Sequence, residues 1–280
     1  MQLRSKNSIR NKYLYPLKQK SRKAYYNLFY KYLISRNQKH VFRLYGMKRS
    51  GNHAIVNWLF NSINGTTLLC NDIRRNQNPK LAYFNQLKIS NGIGGLICSY
   101  ENQLSSYFDL NYSEEYFGPY SHYKNVFLLR DPFNLFASRF VWNDKEGVKF
   151  KGDLDYRLRV VDHWKENAKT FLEWQKTNSE ENIPINYNNW CVSLDYRNRL
   201  IQKLGLSVLN ANTDKVPAFG GGSSFDGMKE NAINKQKYSK RFEPLIDDVD
   251  FRSIFLDEEI VLLSEEIFGK IENSEMLYRH

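Results

Sequence analysis

The sequence predicts an α/β fold, with a central parallel β-sheet flanked by helices in three layers. Two stretches carry this expectation. Residues 41–63, VFRLYGMKRSGNHAIVNWLFNSI, read as a buried strand, a cationic loop with glycines, and a helix. Residues 125–140 repeat that order: an apolar run NVFLL, then Arg130-Asp131-Pro132, then a second helical stripe. Strand–loop–helix units with cations at the strands' carboxyl ends belong to open parallel sheets, which bind ligands in the crevice there.

In the first unit, Val41, Phe42, Leu44 and Tyr45 form the apolar strand. Gly46, Lys48, Arg49, Ser50 and Gly51 make the loop. Ala54, Ile55, Trp58, Leu59 and Ile63 then recur at spacings of three and four, one apolar helix face. This geometry suits phosphate, because the N–H groups and dipole of a helix start favour an anion. Lys48 and Arg49 add full charges, and a guanidinium can hold an oxyanion through two parallel bonds. Ser50, Asn52 and His53 add side-chain donors. The bland alternative is a solvated basic turn. The loop departs from the nucleotide-triphosphatase pattern: Gly46 and Gly51 have its spacing, but Asn52 and His53 stand where Lys and Ser/Thr belong. A phosphate site without magnesium is therefore expected.

In the second unit, Pro132 suits the first turn of a helix. Phe133, Phe136, Ala137 and Phe140 continue one apolar face, with Arg130 at the strand's end and Ser138 eight residues on.

Together the two stretches resemble the sulfotransferases that use 3′-phosphoadenosine 5′-phosphosulfate (PAPS), over residues 41–269. Lys48-Arg49-Ser50-Gly51-Asn52-His53 resembles that family's 5′-phosphosulfate loop, with Asn52 and His53 replacing two small hydroxyl residues. Arg130 through Ser138 resembles its 3′-phosphate motif. The resemblance implies a P-loop-like three-layer fold, PAPS as cofactor, and no metal. Cofactor contacts are then expected from Lys48, Arg49, Ser50, Gly51, Asn52, His53, Arg130 and Ser138. A late glycine-rich loop, with Gly221, Gly222 and Ser223, would fold over the nucleotide, helped by Ser224 and Lys229. A flexible linker is the alternative there.

The family's strand at the place of residues 96–101 delivers a catalytic base, so Glu101 is the positional candidate. His53 is a rival base near the sulfuryl group, and His122 a weaker third. Either a carboxylate or a neutral imidazole can take a proton from an acceptor hydroxyl. A lysine common on this strand is absent; Cys98 or Ser99 stands near its place. Asn188, after Tyr187, replaces a usual acid.

The rest of the chain supports one domain, residues 41–280, behind a basic N-terminal extension, residues 1–40. Asn76 to Ile89 reads as loop with a short helix, residues 142–153 as a polar flap, and Leu154 to Leu172 as a long core-facing helix. Three widely spaced cysteines, Cys70, Cys98 and Cys191, suggest reduced thiols. No apolar run suits a membrane span or a secretory signal. A cytoplasmic location is expected, with peripheral contact at the inner membrane face.

The net charge of +11 is uneven. Residues 1–71 hold 14 Lys+Arg and no acid, against 27 Lys+Arg and 30 Asp+Glu in the remainder. Residues 21–34, SRKAYYNLFYKYLI, mix cations with aromatics. They read either as a contact for anionic membrane or acidic glycan, or as a helix packed on the domain. Nothing in the basic stretch matches a nucleic-acid-binding pattern. The function expected is sulfuryl transfer to an acceptor hydroxyl or amine, such as a saccharide or lipid-linked saccharide. The alternatives are a nucleotide-dependent kinase, and a non-catalytic protein of this fold that binds a polyanion or membrane.

Overall fold

A computed structural model of the chain describes residues 15–34, 36, 38–74, 83–103, 120–142, 145–206 and 239–279. Helix α1 (Tyr15–Ile34) leads into β1 (Gln38–Gly46), α2 (Asn52–Ser62), β2 (Thr66–Asn71), β3 (Tyr83–Lys88), β4 (Ile93–Glu101) and β5 (Tyr120–Leu129). Then come α3 (Pro132–Phe140), α4 (Lys145–Gly152), α5 (Leu154–Thr177), β6 (Asn182–Asn186), α6 (Tyr187–Val192) and α7 (Leu194–Lys203). Helices α8 (Val249–Arg252) and α9 (Glu258–Phe268) follow, with short 3₁₀ turns around them.

The strands form one six-stranded sheet in the order β3-β2-β4-β1-β5-β6. β1 is central and runs parallel to β4 and β5. β2 runs parallel to β4, and β6 to β5. The α/β class, a central sheet between helices, is the one expected. Its edge departs from that expectation. β3 lies antiparallel to β2, in a stretch whose sequence reads as loop and short helix. YFNQLK lacks clean alternation, so only the open edge of β2 tells it to extend. Lys88 ends β3 by donating to the carbonyls of Phe60, at 2.8 Å, and Ile63. A cation is favoured there, at the carboxyl end of α2.

The inner strands are buried on both faces, so their residues sort alternately into two cores. Val41, Tyr45, Leu96, Cys98, Phe127 and Leu129 face one helix layer, with Phe136, Trp164, Phe171 and Ile260. Phe42, Leu44, Ile97, Val126 and Leu128 face the other, with Ile55, Leu59, Trp190 and Ile201. Each such side chain contributes about 1.5–3 kcal/mol on burial. Tyr30 of α1 is buried in the first cluster. The charged exception is Arg43 of β1, buried beside Val41 and Tyr45, which donates to the Tyr123 hydroxyl at 2.6 Å.

Gly94 and Gly95 let β4 wedge between its neighbours. A Cβ on Gly94 would lie 2.6 Å from the Thr66 carbonyl, and one on Gly95 2.5 Å from that of His40. The wedge sets the level of three strand ends. Gly46 of β1 pairs with Glu101 of β4 on one side and Leu128 of β5 on the other.

Candidate functional site

The loop after β1 is built on two left-handed residues, Arg49 at φ 74° and Gly51 at φ 98°. That conformation costs a residue with a side chain about 1–2 kcal/mol, so Arg49 is held from outside. Its carbonyl accepts from Arg130 Nη1 at 3.1 Å. Its own Nε donates to Ser138 Oγ at 3.2 Å, and its guanidinium lies 5.0 Å from the Trp142 ring centre. Gly51 leaves no room for a side chain: a Cβ would lie 2.2 Å from the Tyr187 ring. Gly51 is also the N-cap of α2 and provides no side-chain acceptor. Ala54 N donates back to the Gly51 carbonyl at 2.9 Å, and the earliest N–H groups of a helix generally lack an acceptor within it, which suits an anion.

The remaining loop residues divide by what they touch. Asn52 is buried and turns inward, its Nδ2 donating to the Met47 carbonyl at 3.0 Å. Ser50 is buried too, and its Oγ has no hydrogen-bond partner among the described residues. Lys48 reaches sideways to Glu146 of α4 at 2.8 Å. Partial burial disfavours that ammonium's charge, but the Glu146 bond and charge outweigh it and hold the pKa above the usual lysine range.

Arg130, at the end of β5, is buried with its guanidinium 5.5 Å from the Tyr187 ring. A third arginine joins it. Arg241 Nη1 donates to the same Ser138 oxygen at 3.1 Å, and Arg241 N donates to Asn134 Oδ1 at 2.8 Å. Asn134 is fixed in turn by Asp131, the N-cap of α3. Ser138 is fully buried and clips Arg49 to Arg241. Burial, with Cys191 adding to it, pushes the Tyr187 phenol above its usual range against the pull of Arg130 and Arg241. Tyr187 is thus a neutral wall beside the cations.

On the other flank, His53 Nε2 lies 3.7 Å from Glu101 Oε1. The His53 side chain is 36% exposed and that of Glu101 12%, so the imidazole is the more accessible of the two. Asn102 fastens this corner. It accepts from Lys48 N and from Arg139 Nη2, each at 2.8 Å, and its own N–H donates to the Gly46 carbonyl at 3.0 Å. Burial lowers the Arg139 pKa from its ordinary value.

The structure thus brings together Lys48, Arg49, Ser50, Gly51, Asn52, His53, Glu101, Arg130 and Ser138. His122 is elsewhere: it pairs with His40, toward the opposite end of β1 from Gly46, and stacks on it at 5.1 Å. Gly221, Gly222, Ser223, Ser224 and Lys229 lie outside the described residues. Arg241 was not among the site residues expected from the sequence. Asn102, Asn134 and Arg139 carried no motif signal. Among the described residues, no three His, Cys, Asp or Glu side chains gather to hold a metal.

Fold and site together define an α/β protein in which Arg49, Arg130 and Arg241 come together beside Ser138 near the carboxyl ends of β1 and β5. No family model matches the chain, and no curated protein matches it. Among solved structures the chain is similar to mouse sulfotransferase SULT7A1 complexed with PAP, at 12% identity and a TM-score of 0.42. The match covers 63% of this chain and 62% of that one.

Proposed function

We propose that the protein transfers a sulfuryl group from PAPS to an acceptor hydroxyl or amine, for which a saccharide or lipid-linked saccharide is the candidate class. The observation that carries this is the meeting of Arg49 and Arg241 on Ser138, with Arg130 bonded to the Arg49 carbonyl, beside the His53–Glu101 pair. Cations on one flank suit a nucleotide with more than one anionic group. A paired imidazole and carboxylate on the other suit removal of a proton. The residues present fit such a nucleotide: the buried Ser50 hydroxyl and the uncapped start of α2 add donors beside the guanidinium groups.

PAPS, when bound, supplies the sulfuryl group and a phosphate leaving group. Arg49 would neutralise the charge that grows on that phosphate as the sulfur–oxygen bond breaks, a preorganised electrostatic role. Arg130 and Arg241 would hold the second phosphate and so orient the cofactor. Glu101 or His53 would take the proton of the acceptor hydroxyl or amine. Asn102 and Gly51 set the geometry without touching the reacting atoms.

The deciding experiment is calorimetry with 3′-phosphoadenosine 5′-phosphate, 5′-AMP and ATP. Binding of the first well above the other two is expected. Preference for ATP would favour a kinase, and binding of none would favour a non-catalytic protein of this fold.

A further inference from the structure

Helix α1 has two unlike sides. Tyr30 is buried in the core and Tyr26 packs against that cluster. Facing away, Tyr25, Leu28 and Tyr32 are 47%, 67% and 43% exposed. Spacings of three and four put these three on one stripe. Lys20 and Lys31 are exposed, and the helical repeat places both along one flank of that stripe. Arg36, exposed just beyond the helix, lies with its guanidinium 5.2 Å from the Tyr32 ring centre. Residues 1–40 around this helix carry 11 Lys+Arg and no acid.

We propose that α1 docks the protein on an anionic lipid surface. The helix lies in the plane of the interface, with Tyr25, Leu28 and Tyr32 entering the headgroup–acyl boundary and Lys20, Lys31 and Arg36 against acidic headgroups. Two observations jointly select lipid. Cations alone would serve any polyanion, but a free acidic glycan leaves the three large side chains against water. A bilayer interface accepts both: tyrosine suits it, with an apolar ring and a wet hydroxyl. Among the described residues, no helix is long and apolar enough to cross a membrane. Each cation near such a surface strengthens binding about fivefold, and salt screens that share.

The test is co-sedimentation of the full chain with vesicles of phosphatidylcholine alone, or with about a quarter phosphatidylserine. Binding is expected only to the anionic vesicles, and it should weaken as salt rises. The combined variant Tyr25→Ser, Leu28→Ser, Tyr32→Ser should bind about tenfold more weakly or worse at an unchanged melting temperature. Lys20→Glu with Lys31→Glu should also lose binding. If the combined variant melts lower, Leu28→Glu, at the most exposed of the three positions, carries the same expectation. Failure of the wild type to bind overturns the proposal. So does full vesicle binding by the serine variant, above all if heparin retains it like the wild type; that outcome marks α1 as a site for acidic glycans.

Discussion

His53 Nε2 faces Glu101 Oε1 at 3.7 Å, although one opens helix α2 and the other ends strand β4. Read from the sequence they are rival bases; in the fold they form one pair. Glu101→Gln keeps the shape and removes the basic oxygen. Under the proposed function it should leave affinity for 3′-phosphoadenosine 5′-phosphate nearly unchanged and slow PAPS turnover about a hundredfold or more. His53→Asn lies in the anion loop and should weaken binding as well. Calorimetry beside a turnover assay separates the two effects. Wild-type turnover by Glu101→Gln, with normal binding but no turnover by His53→Asn, would make His53 the base.

Arg130 donates to the Arg49 carbonyl and Arg241 to Ser138, from different parts of the chain. Arg130→Ala and Arg241→Ala should each reduce preference for 3′-phosphoadenosine 5′-phosphate over 5′-AMP. The expected loss is about 1.5–3 kcal/mol for each charge-assisted bond removed. Arg49→Ala should weaken binding and slow turnover together. Titration of both nucleotides into each variant checks this; retained discrimination in Arg130→Ala would remove the 3′-phosphate assignment.

Gly51 and Gly92 both have positive φ, at 98° and 82°, but only Gly51 is crowded, with the Tyr187 ring where a Cβ would stand. Each change to Ala should cost about 1–2 kcal/mol for the backbone alone. Gly51→Ala should cost more, and should also impair nucleotide binding. Urea denaturation of both variants isolates the ring clash as the difference, so equal losses would argue against it.

Cys70, Cys98 and Cys191 are buried free thiols. Burial pushes Cys191 up to about 12, with Tyr187, Arg130, Arg197 and Arg241 pulling the other way. Cys70 is raised by burial and by its neighbour Cys98. The thiolate is the reactive form, so the native protein should resist a thiol-reactive dye at neutral pH. All three thiols should react in concentrated guanidinium chloride. Fast native labelling of any one would contradict the packing.

The sequence by itself determined the two strand–loop–helix units and the place of Arg49 and Arg130 at strand ends. Apolar runs, helical spacing, and Pro132 at a first turn are local signals, and each is written within about 20 residues. It also determined that Glu101 closes a strand, though not what stands beside it. The tertiary structure alone decided that β4 enters between β2 and β1, which brings Glu101 level with Gly46 and so to His53. It alone turned Asn52 inward, extended β3 along β2, and brought Arg241 to Ser138 across 103 residues. These contacts depend on strand order and on which edge remains open. Neither is encoded in any local period, because residues far apart in the chain meet only after the sheet has been assembled.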